Sequence, residues 1–595
     1  KDYIQYFKKG DHVMGRRKYG YGNYDLHPCK KITGFDQCVF DGAESLVSEL
    51  LSGKNKKKTV IVCDCYPGTD KEEIISWFQK YEPLVIDTDS CAYPGEKLTE
   101  LFSDYLLDDR VFGIMCHKTL EECFDPEEIS FAKEKVQKVR EGLVLVIGTG
   151  ASFITYGDVY LYFDLARWEI QLRYRAGMPN WNCDNTDAPV LSKVKRGFFI
   201  EWRLADRYKK ARFERFDYVV DTNEKNHPKM ITGKAFREGL KQISTHPFRL
   251  KPYFDPGVWG GQWMKETFEL PKEEENYAWS FDGVPEENSI LLKYGNVTVE
   301  LPCMDLVLYC PEPLLGSRVH ARFGAEFPIR FDLLDTMEGG NLSLQVHPLT
   351  EYIQDTFGMH YTQDESYYIL DAKEDSCVYL GLKENIDREA MIRQLKQAER
   401  GEISFPAEDY VNKIPVKKHD HVLIPAGTIH CSGKDTMVLE ISATPYIFTF
   451  KLWDWGRVGL DGIPRPIHVD RGVDNIQWNR DTQWVMDNLV GQQQIKCEEK
   501  GILVERTGLH EREFIDTYRY TVDASLTCKA NGSVHMLNLV KGEAVIIESP
   551  SKSFPPFEVH YAETFIIPAS AGDYIINPVK PDIDGQVSVI DAWVR

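Results

Sequence analysis

At 595 residues the chain is too long for one ordinary core, so roughly two to four domains are expected. Hydrophobic residues at 43% and charged residues at 27% give the balance of a folded chain and exclude a disordered one. The net charge of −21 argues against nucleic acid as a partner, because phosphate backbones need a basic footprint, but it leaves room for a local basic pocket that takes a small phosphorylated ligand.

The first third alternates strand-like and helix-like stretches. Thr59 to Asp64 is a β-rich run that ends in Pro67-Gly68, and Lys71 to Lys80 then reads as a helix. Leu84 to Asp87 and Leu143 to Ile147 repeat the theme, the latter ending in Gly148 and Gly150. This alternation predicts an α/β layer with a mostly parallel sheet. Strand periodicity puts Cys63 and Cys65 on one face. The 14 cysteines show no CxxC pairing and read as reduced, mostly buried thiols of a cytoplasmic protein. No run reaches the apolar length of a membrane span, so no membrane partner is expected. The chain opens on Lys1 rather than Met, which leaves its true start and any removed leader open.

Ser244 to Gly261, with Pro247, Pro252 and Pro256, is the expected boundary. Beyond about Phe254 the pattern changes to short strands with Pro, Gly and Asn turns, and Asp387 to Arg400 is the main helical interruption. The segment from His421 to His430 is echoed by Thr564 to Asp573: each reads as a strand, a Pro-containing turn and a second strand. Two copies of one β-module are therefore expected, with the chemistry in the first, which ends in His, and a structural partner in the second.

In Asn341 to Pro348, alternation puts Ser343, Gln345 and His347 on one strand face. Glu365 starts another strand-like run, and His430 ends the first module. Gln345, His347, Glu365 and His430 make a set of N and O donors suited to Zn²⁺ with room left for substrate oxygens. The motifs Ser343-Leu-Gln-Val-His-Pro348, Glu365 before Tyr-Tyr-Ile-Leu-Asp371, Tyr379-Leu-Gly-Leu-Lys383, Pro425-Ala-Gly-Thr-Ile-His430 and Trp453-Asp-Trp-Gly-Arg457 stand in the order found in class I mannose-6-phosphate isomerases. Val258-Trp-Gly-Gly261 is similar to that family's opening segment, and the resemblance spans roughly residues 245 to 595.

The resemblance implies a cupin fold, one zinc ion per chain held by Gln345, His347, Glu365 and His430, and a small sugar or sugar-phosphate substrate. It places the family's active-site arginine on Arg457, an acidic pocket residue on Glu440, and a serine beside the substrate phosphate on Ser343. Glu440 reads equally as a proton-transfer base, an orienting group or the ion-pair partner of a cation. One departure stands out: Gln363 occupies a position where the family commonly has a phosphate-binding lysine. Either other cations, such as Arg465 or Lys451, hold the phosphate, or the substrate differs.

The first 243 residues resemble, in layout, a P-loop nucleoside-kinase-like domain that has lost its loop. Neither Asp64 to Lys71 nor Val144 to Ser152 contains the GxxxxGK[ST] pattern. Arg167, Arg173 and Arg175 read as structural salt-bridge partners. The expected architecture is a three-layer α/β domain over residues 1–243, a catalytic cupin domain over 244–490 with a helical insertion near 387–412, and a second cupin module over 491–595. The expected function is a zinc-dependent aldose–ketose isomerase; the alternative is a non-catalytic or altered-substrate carbohydrate sensor. Self-association into a homo-oligomer stays open.

Overall fold

The computed structural model describes residues 18–52, 57–443, 448–459, 462, 464–508, 510–511 and 513–595, so Lys1 lies outside the described residues. The fold is mixed α/β, with six sheets among these residues. In the first half, parallel strands stand in the order Leu84–Asp87, Gly142–Gly148, Lys58–Cys65, Val159–Asp164, Tyr218–Asp221. Lys229–Thr232 and then Val39–Asp41 extend this sheet antiparallel. Along the central strand, Ile61, Cys63 and Cys65 join one apolar cluster with Leu46 and Phe78, while Val60 and Val62 join another with Ala132 and Ile170. Helices therefore cover both faces, which is why these strands are apolar throughout rather than alternating. Local signals start the helices: the Asp70 side chain accepts from Glu73 N at 3.1 Å to cap Lys71–Phe78, and Asp125 with Pro126 opens Pro126–Lys138.

Beyond residue 250 two sheets face each other. One runs His421–Ile424, Glu365–Ala372, Thr436–Ser442, Arg330–Asp335, Trp279–Gly283, Tyr253–Asp255; the other runs Val411–Pro415, Cys377–Leu382, His430–Ser432, Leu344–Val346, Phe450–Trp453. A second pair, of six and four strands within 494–594, has its own core around Tyr520, Leu537 and Val589. The echoed segments take the same form in both pairs: His421–Ile424 turns into His430–Ser432, and Thr564–Ile567 turns into Tyr574–Lys580. Asp573, the counterpart of His430, pairs with exposed Lys529 at 2.6 Å and accepts from Ala530 N at 3.2 Å.

Two features depart from the sequence expectation. Arg388–Glu399 is helical as expected, but so are Cys303–Tyr309, Pro311–Leu315, Ser317–Phe323, Thr350–Phe357, Val469–Asn475 and Thr482–Asn488. These run only one to two turns, too short for a 3.6-residue period to stand out. The boundary near 243 is also not a clean cut in space. Cys29–Lys31 pairs in parallel with Ser289–Tyr294, Tyr19 donates to Glu338 at 2.8 Å and Asp25 N donates to Glu563 at 2.7 Å. Pro and Gly density marks where a chain bends, not which body a flanking segment packs on. No helix among the described residues is long and apolar enough to cross a membrane.

Candidate metal centre

Strand pairing assembles the centre. Gln345 lies directly opposite His430 on one neighbouring strand and Lys451 on the other, so the three share one row. From the facing sheet, Glu365 reaches across: its Oε1 is 2.7 Å from His430 Nε2 and 3.2 Å from His347 Nε2. His347, Glu365 and His430 are fully buried, and their donor atoms lie within 4.8 Å of one another. The His347 Nδ1–H donates to the Phe448 carbonyl at 2.8 Å and the His430 Nδ1–H to the Thr428 carbonyl at 2.9 Å. These bonds fix both rings and turn the bare Nε2 atoms toward Glu365. The Gln345 amide is 3.2 Å from His430 Nε2, and a half-turn of that amide presents its oxygen at the same point.

His347 Nε2 and Glu365 Oε1 have no hydrogen-bond partner among the described residues. Buried polar atoms are costly when unpaired, and two of them converging on one point fit a cation there. Two imidazoles, a carboxylate and an amide oxygen suit a zinc ion with open positions. Burial alone would raise the Glu365 carboxyl, but the His347 and His430 imidazoles hold it well below its ordinary range. Burial likewise opposes charge on His347, and the Glu365 carboxylate outweighs it, raising that imidazole.

Beside the centre is a cavity of about 330 Å³ whose lining includes Ser343, Gln345, Gln363, Glu440, Lys451 and Arg465. Glu440 sits between Tyr367 and Asp332 in the sheet and accepts from Ser442 Oγ at 2.7 Å. Burial first, then the Glu365 and Asp332 carboxylates, push its carboxyl well up. Gln363 is buried, donating to Glu365 Oε2 at 3.0 Å and accepting from Phe448 N at 3.1 Å. Its neighbour Asp364 turns away and accepts from Ala426 N at 2.7 Å. Lys451 is lowered to about 7 by burial and by the neighbouring Arg465 guanidinium.

Arg457 is not among the cavity-lining residues. Its Nε and Nη1 donate to the carbonyls of Asp454 and Asn341 at 3.1 and 2.7 Å, and its Nη2 donates to the Asp454 carboxylate at 2.7 Å. Asp454 also accepts from Ser343 Oγ at 2.7 Å and from Arg465 at 3.0 Å. The guanidinium that reaches the cavity is Arg465, which lies in no motif beyond being a cation downstream of Trp453.

The Gly-rich turn of the first half holds an internal anion. The amides of Gly150, Ala151 and Ser152 donate to the Asp64 carboxylate at 3.0, 3.2 and 3.4 Å, and Tyr160 and Tyr208 donate their hydroxyls to it. Gly148 has a φ of +128°, and a Cβ there would meet Asp89 Oδ1 at 3.0 Å, so the turn requires glycine. Lys71 pairs with Asp87 and Asp89 at 2.9 and 2.5 Å. Arg167 pairs with Asp206 and Glu286, Arg173 with Glu169, and Arg175 with Asp255.

Residues 42–245 match the family described as "Domain of unknown function (DUF8485)". Mannose-6-phosphate isomerase ManA of Bacillus subtilis (strain 168) is 22% identical over 339 residues, which is 56% of this chain and 94% of that protein. Mannose-6-phosphate isomerase of Streptococcus mutans is 23% identical over 306 residues, 50% of this chain and 86% of that protein. The C-terminal part of the chain is homologous to mannose-6-phosphate isomerases. Among solved structures, the mannose 6-phosphate isomerase from Bacillus subtilis matches at 19% identity and a TM-score of 0.46, covering 58% of this chain and 99% of that one. A mannose 6-phosphate isomerase structure described as zinc-bound matches at 14% identity and a TM-score of 0.43.

Proposed function

We propose that this chain is a zinc-dependent aldose–ketose isomerase that interconverts mannose 6-phosphate and fructose 6-phosphate. The observation that carries this reading is the convergence of buried His347, Glu365 and His430 donor atoms, all within 4.8 Å of one another, beside a cavity that also presents Lys451 and Arg465. Gln345, His347, Glu365 and His430 hold the metal. Zinc bound there supplies Lewis-acid stabilisation of the negative charge that develops on sugar oxygen as a proton leaves the adjacent carbon. Lys451 and Arg465, with Ser343 between Arg465 and Asp454, bind the phosphate in place of the lysine that Gln363 replaces. Glu440, held by Ser442 and lining the cavity, is the carboxyl placed to hold or pass a proton. Arg457 is a positioning residue, holding the Asp454 that holds Arg465.

In the same reading the chain comprises an α/β unit over 1–243, a catalytic cupin unit over 244–490 and a second cupin module over 491–595. The strand order of the first sheet supports a nucleoside-kinase-like ancestry for the α/β unit. The capture of its turn amides by Asp64 and the internal pairing of Lys71 leave no cradle for a transferred phosphate. The same pairing weighs against a nucleotide-sensing role.

A coupled assay with zinc-loaded protein tests the reading: turnover of mannose 6-phosphate is expected, with one zinc per chain by elemental analysis. Glu365→Gln is expected to lose the metal and more than about 100-fold of activity while staying folded. Stoichiometric zinc with no turnover of either sugar phosphate would sink the isomerase reading.

A further inference from the structure

The cavity beside the metal centre is not lined by the isomerase-like part alone. Val111, Phe112, Gln171, Val194, Phe198 and Trp202, all from the α/β half, line it too. This wall is built rather than draped. The Phe112 ring stacks on Phe448 at 5.3 Å and lies 5.0 Å from His468 and 5.4 Å from Phe450. Asp109 holds its loop by accepting from the amides of Val111 and Phe112 at 2.8 and 2.9 Å, and its carboxylate faces Arg471 at 3.4 Å across the boundary. Phe198 sits in a π-helical turn, Gly197–Glu201, inserted between Val190–Arg196 and Trp202–Lys210. Such one-turn widenings recur where helices are shaped by a site. Gln171 stands on Arg167–Arg175, a helix anchored by the buried ion pairs of Arg167 to Asp206 and Glu286, and it shares the cavity lining with a carboxylate of the opposite half. Glu287 lines the same cavity.

We propose that the α/β half is the specificity wall of the substrate site: Gln171, with Glu287, contacts a sugar hydroxyl, and Phe112 stops the cavity at a single sugar phosphate. The proposal rests on the sugar-phosphate reading above. Its chemistry is that of carbohydrate recognition generally, with flat aromatic faces against C–H surface and an amide–carboxylate pair offering donor and acceptor to a hydroxyl. It assigns the fused half a share in the reaction that needs neither nucleotide nor phosphoryl transfer. The substrate class that follows is monosaccharide monophosphates, with phosphorylated disaccharides excluded.

The test uses the zinc-loaded full chain. Gln171→Ala is expected to raise KM for mannose 6-phosphate about three- to tenfold with kcat falling less, as loss of one neutral hydrogen bond does. Phe112→Ala and the milder Phe112→Leu are expected to gain binding of trehalose 6-phosphate, which the unaltered chain lacks. Binding is read from quenching of Trp202 and Trp279, both cavity residues, so it does not depend on turnover. An unchanged KM in Gln171→Ala together with no trehalose 6-phosphate binding in either Phe112 variant, at retained zinc content and melting temperature, overturns the proposal. If the unaltered chain turns nothing over but fructose 6-phosphate quenches its fluorescence, only the isomerase reading fails, and the dissociation constant of Gln171→Ala decides the wall. If fructose 6-phosphate does not quench at all, both fall.

Discussion

Asp454 decides where the positive charge of the cavity stands. It accepts from Ser343, Arg457 and Arg465, and with Arg457 also turned onto the carbonyls of Asn341 and Asp454, Arg465 is the guanidinium on the lining. Arg465→Ala is therefore expected to raise KM for a sugar phosphate about 10- to 100-fold, the worth of a charge-assisted hydrogen bond. Restoring the family's lysine by Gln363→Lys is expected not to lower KM. The Gln363 carbonyl already accepts from Phe448 N and its amide braces Glu365, and a lysine would leave that amide N–H unpaired. Steady-state kinetics of the two variants checks both statements; a lower KM in Gln363→Lys would show that the missing cation limits binding.

Between elements, the hairpin of Ala544–Glu548 and Phe557–His560 is tied to the preceding parts of the chain through His560 and Glu563. Glu563 pairs with buried Arg249 at 2.7 Å and accepts from Asp25 N, while His560 lies 3.2 Å from Glu563 and 3.6 Å from Glu558. Burial would lower the His560 imidazole, but the two carboxylates outweigh it and raise it from 6.5 to about 9. A raised imidazole adds stability that is complete below pH 6.5 and is lost as pH rises through about 9. Unfolding free energy is thus expected to fall between pH 7 and 10 by about 2 kcal/mol more in the parent than in His560→Gln. Parallel urea-unfolding profiles for the two proteins would refute this.

At the scale of the molecule, the α/β half and the isomerase-like part share one core. One apolar cluster runs continuously from Val62 and Phe199 to Leu344 and Phe448, and buried charges cross the same boundary: Lys209 to Asp305 at 2.6 Å and Arg167 to Glu286 at 2.5 Å. Arg167→Ala takes the shared cation from buried Asp206 and leaves Glu286 with Arg203, which is expected to cost about 3 kcal/mol. The expected signature is one urea transition for both halves, displaced to lower denaturant. A variant in which the α/β half alone unfolds early would show that the halves are independent.

What could be read along the chain was what local physics writes there. The β-rich run Thr59 to Asp64 gave away a strand, and the strand period gave the shared face of Cys63 and Cys65; Lys71 to Lys80 and Asp387 to Arg400 read as helices; and the period put Gln345 and His347 on one face, with Glu365 and His430 supplied by the neighbouring β-motifs. The tertiary structure alone put Arg465 rather than Arg457 on the cavity lining, because the motif that carries Arg457 does not show how Asp454 takes bonds from both guanidinium groups. It alone filled the Gly-rich turn with Asp64, a carboxylate 86 residues away from Gly150. It alone brought Phe112 and Gln171 to a cavity built by strands far later in the chain. Strand alternation and helix caps depend on neighbours a few residues apart, whereas charge pairing and cavity walls depend on which distant surfaces exclude water together, and no local pattern carries that information.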